Sequence, residues 1–197
     1  CGPVAAPLFN GLPGLKEIIV LDKMLLSLHW LRLWVLTIST KWDIIIDLRN
    51  APLTLFLRNH RRFILPKAEN NKHKVEQISS VLNLPKTVQP RIWTQKYHDN
   101  LAKELLSGEE KILAIGPTAN WKAKTWRPEY FAELIERLTD SGGIFSNNRI
   151  LLLGRDEERP MVQRLINSIS SKKLIDLIGK VDLLTAYACL RQSNFYI

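Results

Sequence analysis

The sequence predicts an α/β protein built on parallel sheets, and three observations carry that prediction. Apolar runs at 43–48 (DIIIDL), 111–116 (KILAIG) and 149–154 (RILLLG) read as strands buried on both faces, the pattern of parallel sheets. Segments with apolar residues at helical spacing alternate with these runs. Gly116-Pro117 and Gly154 end two of the runs, as breakers at the carboxyl ends of strands do.

With 197 residues there is room for one large domain or two small ones. At 46% hydrophobic and 24% charged residues the composition is that of a globular protein, which excludes a disordered or fibrous chain. The net charge is +9 and the pI about 9.7, compatible with nucleic acid, an anionic membrane or a phosphorylated substrate. Cys1 and Cys189 form neither a disulfide framework nor a CxxC pair, and no metal-ligand spacing occurs. No n-region, h-region or cleavage site marks a signal peptide in the first residues. The opening at Cys1 without Met, and a close on Asn194-Phe195-Tyr196-Ile197 that reads as a strand beginning, give the expectation of a fragment.

Residues 1–10 read as irregular, residues 11–14 (GLPG) as a turn and residues 17–21 as a short strand. Residues 24–39 are the most apolar stretch, too short to span a bilayer and interrupted by His29 and Arg32. The pattern is expected to be a helix packed on a sheet, with Trp30 and Trp34 beside Arg32 keeping an interfacial membrane helix as the alternative. In the strand at 43–48, Asp47 is expected to cap the following turn rather than face a cleft. Residues 58–74 hold Arg58, Arg61, Arg62, Lys67, Lys72 and Lys74 against Glu69 alone, which by itself reads as a solvated basic face. Helices are expected over 74–82 and 97–106, the first ended by Pro85 and Pro90.

The chain is organised around residues 111–138. A buried strand ends in Gly116-Pro117, and a helix with Pro128 in its first turn carries Tyr130, Phe131, Leu134, Ile135 and Leu138 at helical spacing. Between them the loop from Thr118 to Trp126 holds hydroxyls, an amide, two ammoniums and two indoles. Such a loop at the end of a strand, feeding a helix N-terminus, suits phosphate. It is not a Walker loop, because Ala123 stands where the Gly before the Lys would be. The plain alternative is that Trp121 and Trp126 pack beneath the loop while its lysines are solvated.

Ser141-Gly142-Gly143 reads as the stop of that helix. A helix is expected over 161–169, a strand over 174–178 and a further helix over 184–192. The acids of Asp156-Glu157-Glu158 also fit plain compensation of a helix dipole.

The string Pro117-Thr118-Ala119-Asn120-Trp121-Lys122-Ala123-Lys124-Thr125-Trp126-Arg127, followed by Pro128-Glu129-Tyr130-Phe131-Ala132-Glu133-Leu134, resembles without gaps the sugar-nucleotide loop of the family-nine glycosyltransferases, the lipopolysaccharide heptosyltransferases and their relatives. That loop reads like P-G-A-S-W-P-T-K-R-W-P and then P-E-Y-F-A-E-L; Thr118 replaces its Gly, and Lys122 and Arg127 replace prolines. Weaker similarities are residues 7–19 to P-L-L-x-G-x-P-G-x-x-E-V-I, Gly154 to Arg159 to G-G-P-x-D-E-x-E, and residues 177–183 to L-x-G-x-T-S-L.

The resemblance implies two Rossmann-like domains of GT-B type, each incomplete: an acceptor-side domain over 1–105 and a nucleotide-sugar domain over 106–197. It implies inverting transfer of heptose or a related sugar, from an ADP-linked donor to the lipopolysaccharide core. The setting implied is cytoplasmic, with possible peripheral contact with the bacterial inner membrane. Lys124, with Thr118 and Asn120, would neutralise the leaving diphosphate without metal. Glu157, one residue either way, would hold the ribose, and the backbone of Lys180 and Val181 would face the adenine. Arg58, Arg61 and Arg62 would meet the acidic acceptor. No cofactor is implied, the nucleotide sugar being a substrate. The general-base Asp is expected upstream of Cys1, and Asp22, Asp43 and Asp47 match other places in the pattern, so the isolated chain is expected not to turn over. The rival is a basic α/β module that binds nucleic acid through residues 58–74; it lacks an RNA- or DNA-binding signature and interleaved aromatics, and nucleic acid is not expected as a partner.

Overall fold

The computed structural model describes residues 1–197 except 67–70, 109, 120, 147 and 171. Two compact units result, Cys1–Phe9 with Pro13–Ile92, and Asn10–Leu12 with Trp93–Ile197.

The second unit is the fuller layered structure. Strands β3 (Ile112–Ile115), β4 (Arg149–Leu152), β5 (Leu174–Asp176) and β6 (Phe195–Tyr196) form an all-parallel sheet in the order β5-β4-β3-β6. Helices α3 (Lys96–Leu105), α4 (Pro128–Thr139), α5 (Arg159–Ser168) and α6 (Leu183–Gln192) cover it. The period-2 alternation of the strands divides the core into two layers. Leu113, Ile115, Ile150 and Leu152 pack with Phe131 and Ile135 of α4 and Val162 and Leu165 of α5. Ile112, Ala114 and Leu151 pack with Ala102 and Leu106 on the α3 side and Ala188 and Cys189 of α6. Every residue of β3 is buried, which is why its sequence is an unbroken apolar run. Pro128 stands at the start of α4, where its missing N–H costs nothing.

The expected division at 105/106 sets α3 in the first half, whereas α3 packs on α6 and so belongs to the second unit. Ala102 is fully buried there, and His98 of α3 sets Nε2 3.7 Å from Asp182 at the start of α6. Burial of the Cys189 thiol in the same layer pushes its pKa up to about 11.

The first unit contains α1 (Leu28–Thr37), β1 (Trp42–Asp47), β2 (Asn59–Ile64) and α2 (Lys74–Ser80), with β1 and β2 paired in parallel. Four expectations are corrected here. Residues 17–21 form no strand; they lie alongside the chain start, where Leu21 N–H donates to Cys1 O at 2.8 Å and the Cys1 amine to Ile19 O at 2.9 Å. β1 is not buried on both faces, because among the described residues its sheet has two strands and Ile44 and Ile46 stay half exposed. Residues 59–64 (NHRRFI) are a strand that the charges conceal, held by its register with β1. Finally, α1 does not bury its leucines in a core: Leu28, Leu31, Val35 and Leu36 are exposed, as are Leu25 and Leu26 in the 3-10 turn ahead of it.

Asp47 behaves as expected of a turn cap. Its oxygens accept from Arg49 N–H at 2.9 Å, Ala51 N–H at 2.8 Å and the Thr54 hydroxyl at 2.9 Å, which fixes the turn after β1. Of residues 58–74, those at 67–70 lie outside the described residues.

Candidate functional site

In a parallel sheet the carboxyl ends of all strands lie along one edge. From β3 the chain moves outward through β4 to β5, then returns to place β6 on the other side of β3. The switch point of the second unit is therefore between β3 and β6, and open α/β sheets bind ligands in the crevice at such a point. The loop at 116–127, which follows β3, sits there. Gly116 N–H donates to Ile197 O at 2.9 Å, and a Cβ at Gly116 would lie 2.5 Å from the Tyr196 hydroxyl, the tip of an exposed side chain that would have to swing aside.

Within the loop, Pro117 is buried and Thr118 half-buried. Thr118 donates its hydroxyl to Glu158 Oε2 at 2.6 Å, joining the loop after β3 to the loop after β4. Glu158 also accepts from the Arg155 N–H at 3.0 Å and the Arg155 Nε–H at 3.2 Å. Burial raises its pKa, but the Thr118 hydroxyl and the two Arg155 donors outweigh that and hold the carboxylate below its ordinary value. Gly154 makes room for this arrangement: a Cβ there would come 3.1 Å from Thr118 Oγ1.

The third loop, at 177–182 after β5, is organised by Asp176. Arg159 grips its carboxylate with two donors, at 2.9 and 3.2 Å, and donates to Ile178 O at 2.7 Å. The Lys180 ammonium lies 3.1 Å from the same carboxylate and the Ile178 N–H donates to it at 3.1 Å. Burial again acts to raise the pKa of Asp176, and Arg159 and Lys180 bring it below the ordinary value. Asp182 caps α6 by accepting from the N–H groups of Leu184 and Thr185, both at 2.9 Å.

The site residues expected from sequence are distributed as follows. Thr118 faces Glu158, with its proton already committed there. Glu157 points outward, its side chain 76% exposed and its carboxylate 3.9 Å from Arg155 Nε, and among Asp156-Glu157-Glu158 it is Glu158 that turns inward. Lys124 is exposed on the loop, its ammonium 5.6 Å from the centre of the Trp121 ring. Asn120 lies outside the described residues. The Lys180 side chain is held by Asp176, while Val181 packs against the α3–α6 layer. Trp121 does not pack beneath the loop, being 62% exposed, and Trp126 leans on Tyr130 and Phe131 at ring distances of 5.4 and 5.1 Å.

In the first unit, Arg61 pairs with Ile44 and Arg62 with Ile45, so the strand period sends Arg61 to one face and Arg62 to the other. The basic stretch is thus not one patch. A cavity of about 900 Å³ also lies in this unit, lined by Trp30, Trp34, Leu53, Phe56 and Arg49 among others. This concavity and the site by chemistry are in different units, and the switch-point loops carry the stronger functional argument because their glycines, carboxylates and donors converge.

Two members of the site escaped the sequence reading, the pair Asp176 and Arg159; Glu158 lies within the one residue either side of Glu157 that the family pattern allowed. The available signal for the pair was an Asp closing a strand of three residues, with an Arg-Pro opening the preceding helix.

The family model described as glycosyltransferase family 9 (heptosyltransferase) matches residues 36–197. Among solved structures, the glycosyl transferase family 9 protein from Veillonella parvula is similar with a TM-score of 0.75 at 18% identity, over 99% of this chain and 64% of its own. The E. coli ADP-heptose lps heptosyltransferase II gives 0.68 at 15% identity, over 99% of this chain and 67% of its own. The E. coli heptosyltransferase WaaC with ADP gives 0.64 at 17% identity, over 99% and 69%. At these identities the likeness concerns the fold, an α/β architecture with parallel sheets of GT-B type. The chain thus spans slightly under two thirds of the length of the Veillonella structure. A comparison with curated proteins finds no match.

Proposed function

The chain belongs to glycosyltransferase family 9, the heptosyltransferase family, and on that premise we propose that it serves the inverting transfer of heptose or a related sugar from an ADP-linked donor to a lipopolysaccharide core acceptor at the cytoplasmic face of the inner membrane. The donor is a substrate rather than a cofactor. We assign donor binding to the second unit and acceptor contact to the first.

The observation that carries the reading is the convergence at the switch point: the loop at 116–127, the Thr118–Glu158 hydrogen bond and the turn around Gly179 stand at the carboxyl ends of three neighbouring parallel strands. In this proposal Glu158, kept ionised by Thr118 and Arg155, accepts from the ribose hydroxyls in the role expected of Glu157. Lys124 meets the diphosphate, whose negative charge grows as the sugar leaves, so its ammonium binds the transition state better than the ground state. Thr118 acts on the donor through Glu158 rather than through its own proton. The backbone at Lys180 and Val181 faces the base, and Asn120 remains assigned to the phosphates by the family pattern. Arg58, Arg61 and Arg62 remain the acceptor-side cations; their strand geometry makes two faces, so at most part of the set meets one acceptor.

Transfer also requires a carboxylate to take the acceptor proton. Asp47 is unsuited, since both of its oxygens are occupied by the turn it caps. With Asp47 occupied, the base is left unassigned, and donor binding is the step assigned to these residues. Titration calorimetry of the chain with ADP, UDP and GDP tests the reading: ADP is expected to bind in preference to the other two, and equal affinities would point to a diffuse basic surface instead.

A further inference from the structure

Arg159 follows Glu158 in the chain and opens α5, but its side chain reaches into the loop after β5. Nη1 and Nη2 donate to the two oxygens of Asp176 at 2.9 and 3.2 Å, and Nη2 donates to Ile178 O at 2.7 Å. Nε faces Asp156 Oδ1 at 3.9 Å, in the loop after β4. One guanidinium thus engages both loops, and its planar fork holds them in a geometry that a point-charge ammonium does not impose.

The turn on its far side is closed by the same ion pair. Ile178 N–H donates to Asp176 at 3.1 Å while Ile178 O accepts from Arg159, so both backbone polar groups of this residue are taken, and its side chain is fully buried. Lys180 N–H donates to Leu177 O at 3.1 Å, with Gly179 at φ +69° in the third position, as a type II turn requires. Asp156, which Nε faces, lies directly against Gly179.

β4 and β5 are paired as far as Leu152 and Asp176, and beyond these residues cross-links fix one loop on the other. The backbone supplies two, from Leu177 N–H to Leu152 O and from Gly179 N–H to Gly154 O, both at 3.0 Å. Arg159 adds a side-chain tie that starts one residue from the carboxylate assigned to the ribose. In a nucleoside, ribose hydroxyls and base have a fixed covalent separation. A site that meets both gains affinity when its contact points are held at that separation before binding. A diphosphate alone does not bridge those points.

We propose that Arg159 is a positioning residue for the nucleoside half of the donor: by clamping Asp176 and Ile178 O from the residue next to Glu158, it fixes the separation between the ribose carboxylate and the base-facing turn. The inference rests on the reading of a nucleotide-sugar donor at this site and adds that nucleoside recognition, unlike diphosphate recognition, depends on a guanidinium whose fork is committed within the protein.

Two measurements on the whole chain and its Arg159→Lys variant test this. Without ligand, the Gly179 amide is expected to exchange its hydrogen about tenfold faster in the variant, with Ile115 and Leu151 of the sheet unchanged. In calorimetry the variant is expected to bind ADP about tenfold more weakly and inorganic pyrophosphate as the wild type does. Asp176→Asn weakens the same clamp from its other side and is expected to give the same pattern. Ile135→Val removes a core methyl group away from the loops, and its ADP affinity is expected to stay at the wild-type value. Unchanged Gly179 exchange, unchanged ADP affinity, or equal losses for ADP and pyrophosphate would each overturn the proposal. So would an Ile135→Val loss as large as that of Arg159→Lys, which would make the effect one of general stability. A wild-type chain that binds no ADP would remove the donor reading and the nucleoside role with it, while the exchange measurement separately decides whether Arg159 anchors the turn.

Discussion

Thr118 and Glu158 are forty residues apart in the chain and 2.6 Å apart between Oγ1 and Oε2. The bond fastens the loop after β3 to the loop after β4, and it sets the ionisation and the aim of a carboxylate that is 12% exposed. Replacing Thr118 by Val removes one donor from a carboxylate that burial already penalises. The expected loss is about 1 to 2 kcal/mol of folding stability, with Thr118→Ser restoring most of it. Urea denaturation of the three proteins measures this. If Val and Thr at this position give the same stability, the hydroxyl bond contributes nothing to holding the loops together.

Asp176 makes the corresponding tie between α5 and the loop after β5. Its folded-state pKa is lowered, so its contribution is fully present above the ordinary Asp value of about 4 and fades as pH falls through the lowered one. The wild-type chain should therefore lose stability on acidification below about pH 4, where Asp182 and Glu158, shifted the same way, add to the loss. Asp176→Asn should cost about 2 to 3 kcal/mol at neutral pH, because two of the charged donors at this carboxylate come from the Arg159 fork. The gap between wild type and variant should narrow in acid. A gap that stays constant down to about pH 3 would show that packing, and not charge, carries the cost.

Much of the second unit was legible because its strands are buried on both faces and so cannot tolerate charge: KILAI and RILLL announce themselves, and Gly116-Pro117 and Pro128 punctuate the loop between them. The first unit was less legible for the converse reason. Asn59–Ile64 pairs with β1 along one edge but is exposed over its first half on both faces, so it holds His60, Arg61 and Arg62 and looks like a basic loop. Residues 17–21 (EIIVL) have the composition of a strand without a partner to pair with. At the site, three consecutive acids, Asp156-Glu157-Glu158, differ only in the direction that a short 3-10 turn gives them, and that direction is fixed by Thr118 and Arg155 from outside the motif. The exposure of α1 was hidden because apolar residues at helical spacing read as a core face whether or not a layer covers them.

Lys124 and Lys180 are both cations of the site loops, but they are in different states. The Lys180 ammonium is 3.1 Å from Asp176, while Lys124 is exposed with the Trp121 face as its neighbour. A cation already paired has less to offer an incoming diphosphate. Lys124→Ala is expected to weaken ADP binding by about 1.5 to 3 kcal/mol, the scale of a charged hydrogen bond, and Lys180→Ala by much less. Calorimetry on both variants decides the point. Equal losses would show that the two lysines act only through the general field of the protein.

Gly179 provides the sharpest test of whether the loops act as one site. Its φ is +69°, a region that costs a side-chain-bearing residue free energy, and a Cβ there would lie 2.6 Å from the Cβ and 2.8 Å from the Cα of Asp156. Since the nearer contacts include backbone, a methyl group cannot be accommodated by a rotamer change; the turn at 177–182 or the segment at 154–158 must move. Gly179 N–H also donates to Gly154 O at 3.0 Å, so displacing one loop displaces the other. Gly179→Ala should thus destabilise the protein by more than about 1 kcal/mol. The same shift should disturb Glu158 and lower ADP affinity, although residue 179 itself carries no group for a ligand to use. The control is Gly142→Ala, where a Cβ meets nothing within 4 Å. Thermal unfolding and ADP calorimetry on the two variants should separate them on both measures. If Gly179→Ala lowers the melting temperature but leaves ADP affinity unchanged, the coupling between the loops after β4 and β5 does not reach the nucleotide, and Glu158 loses its assignment to the ribose.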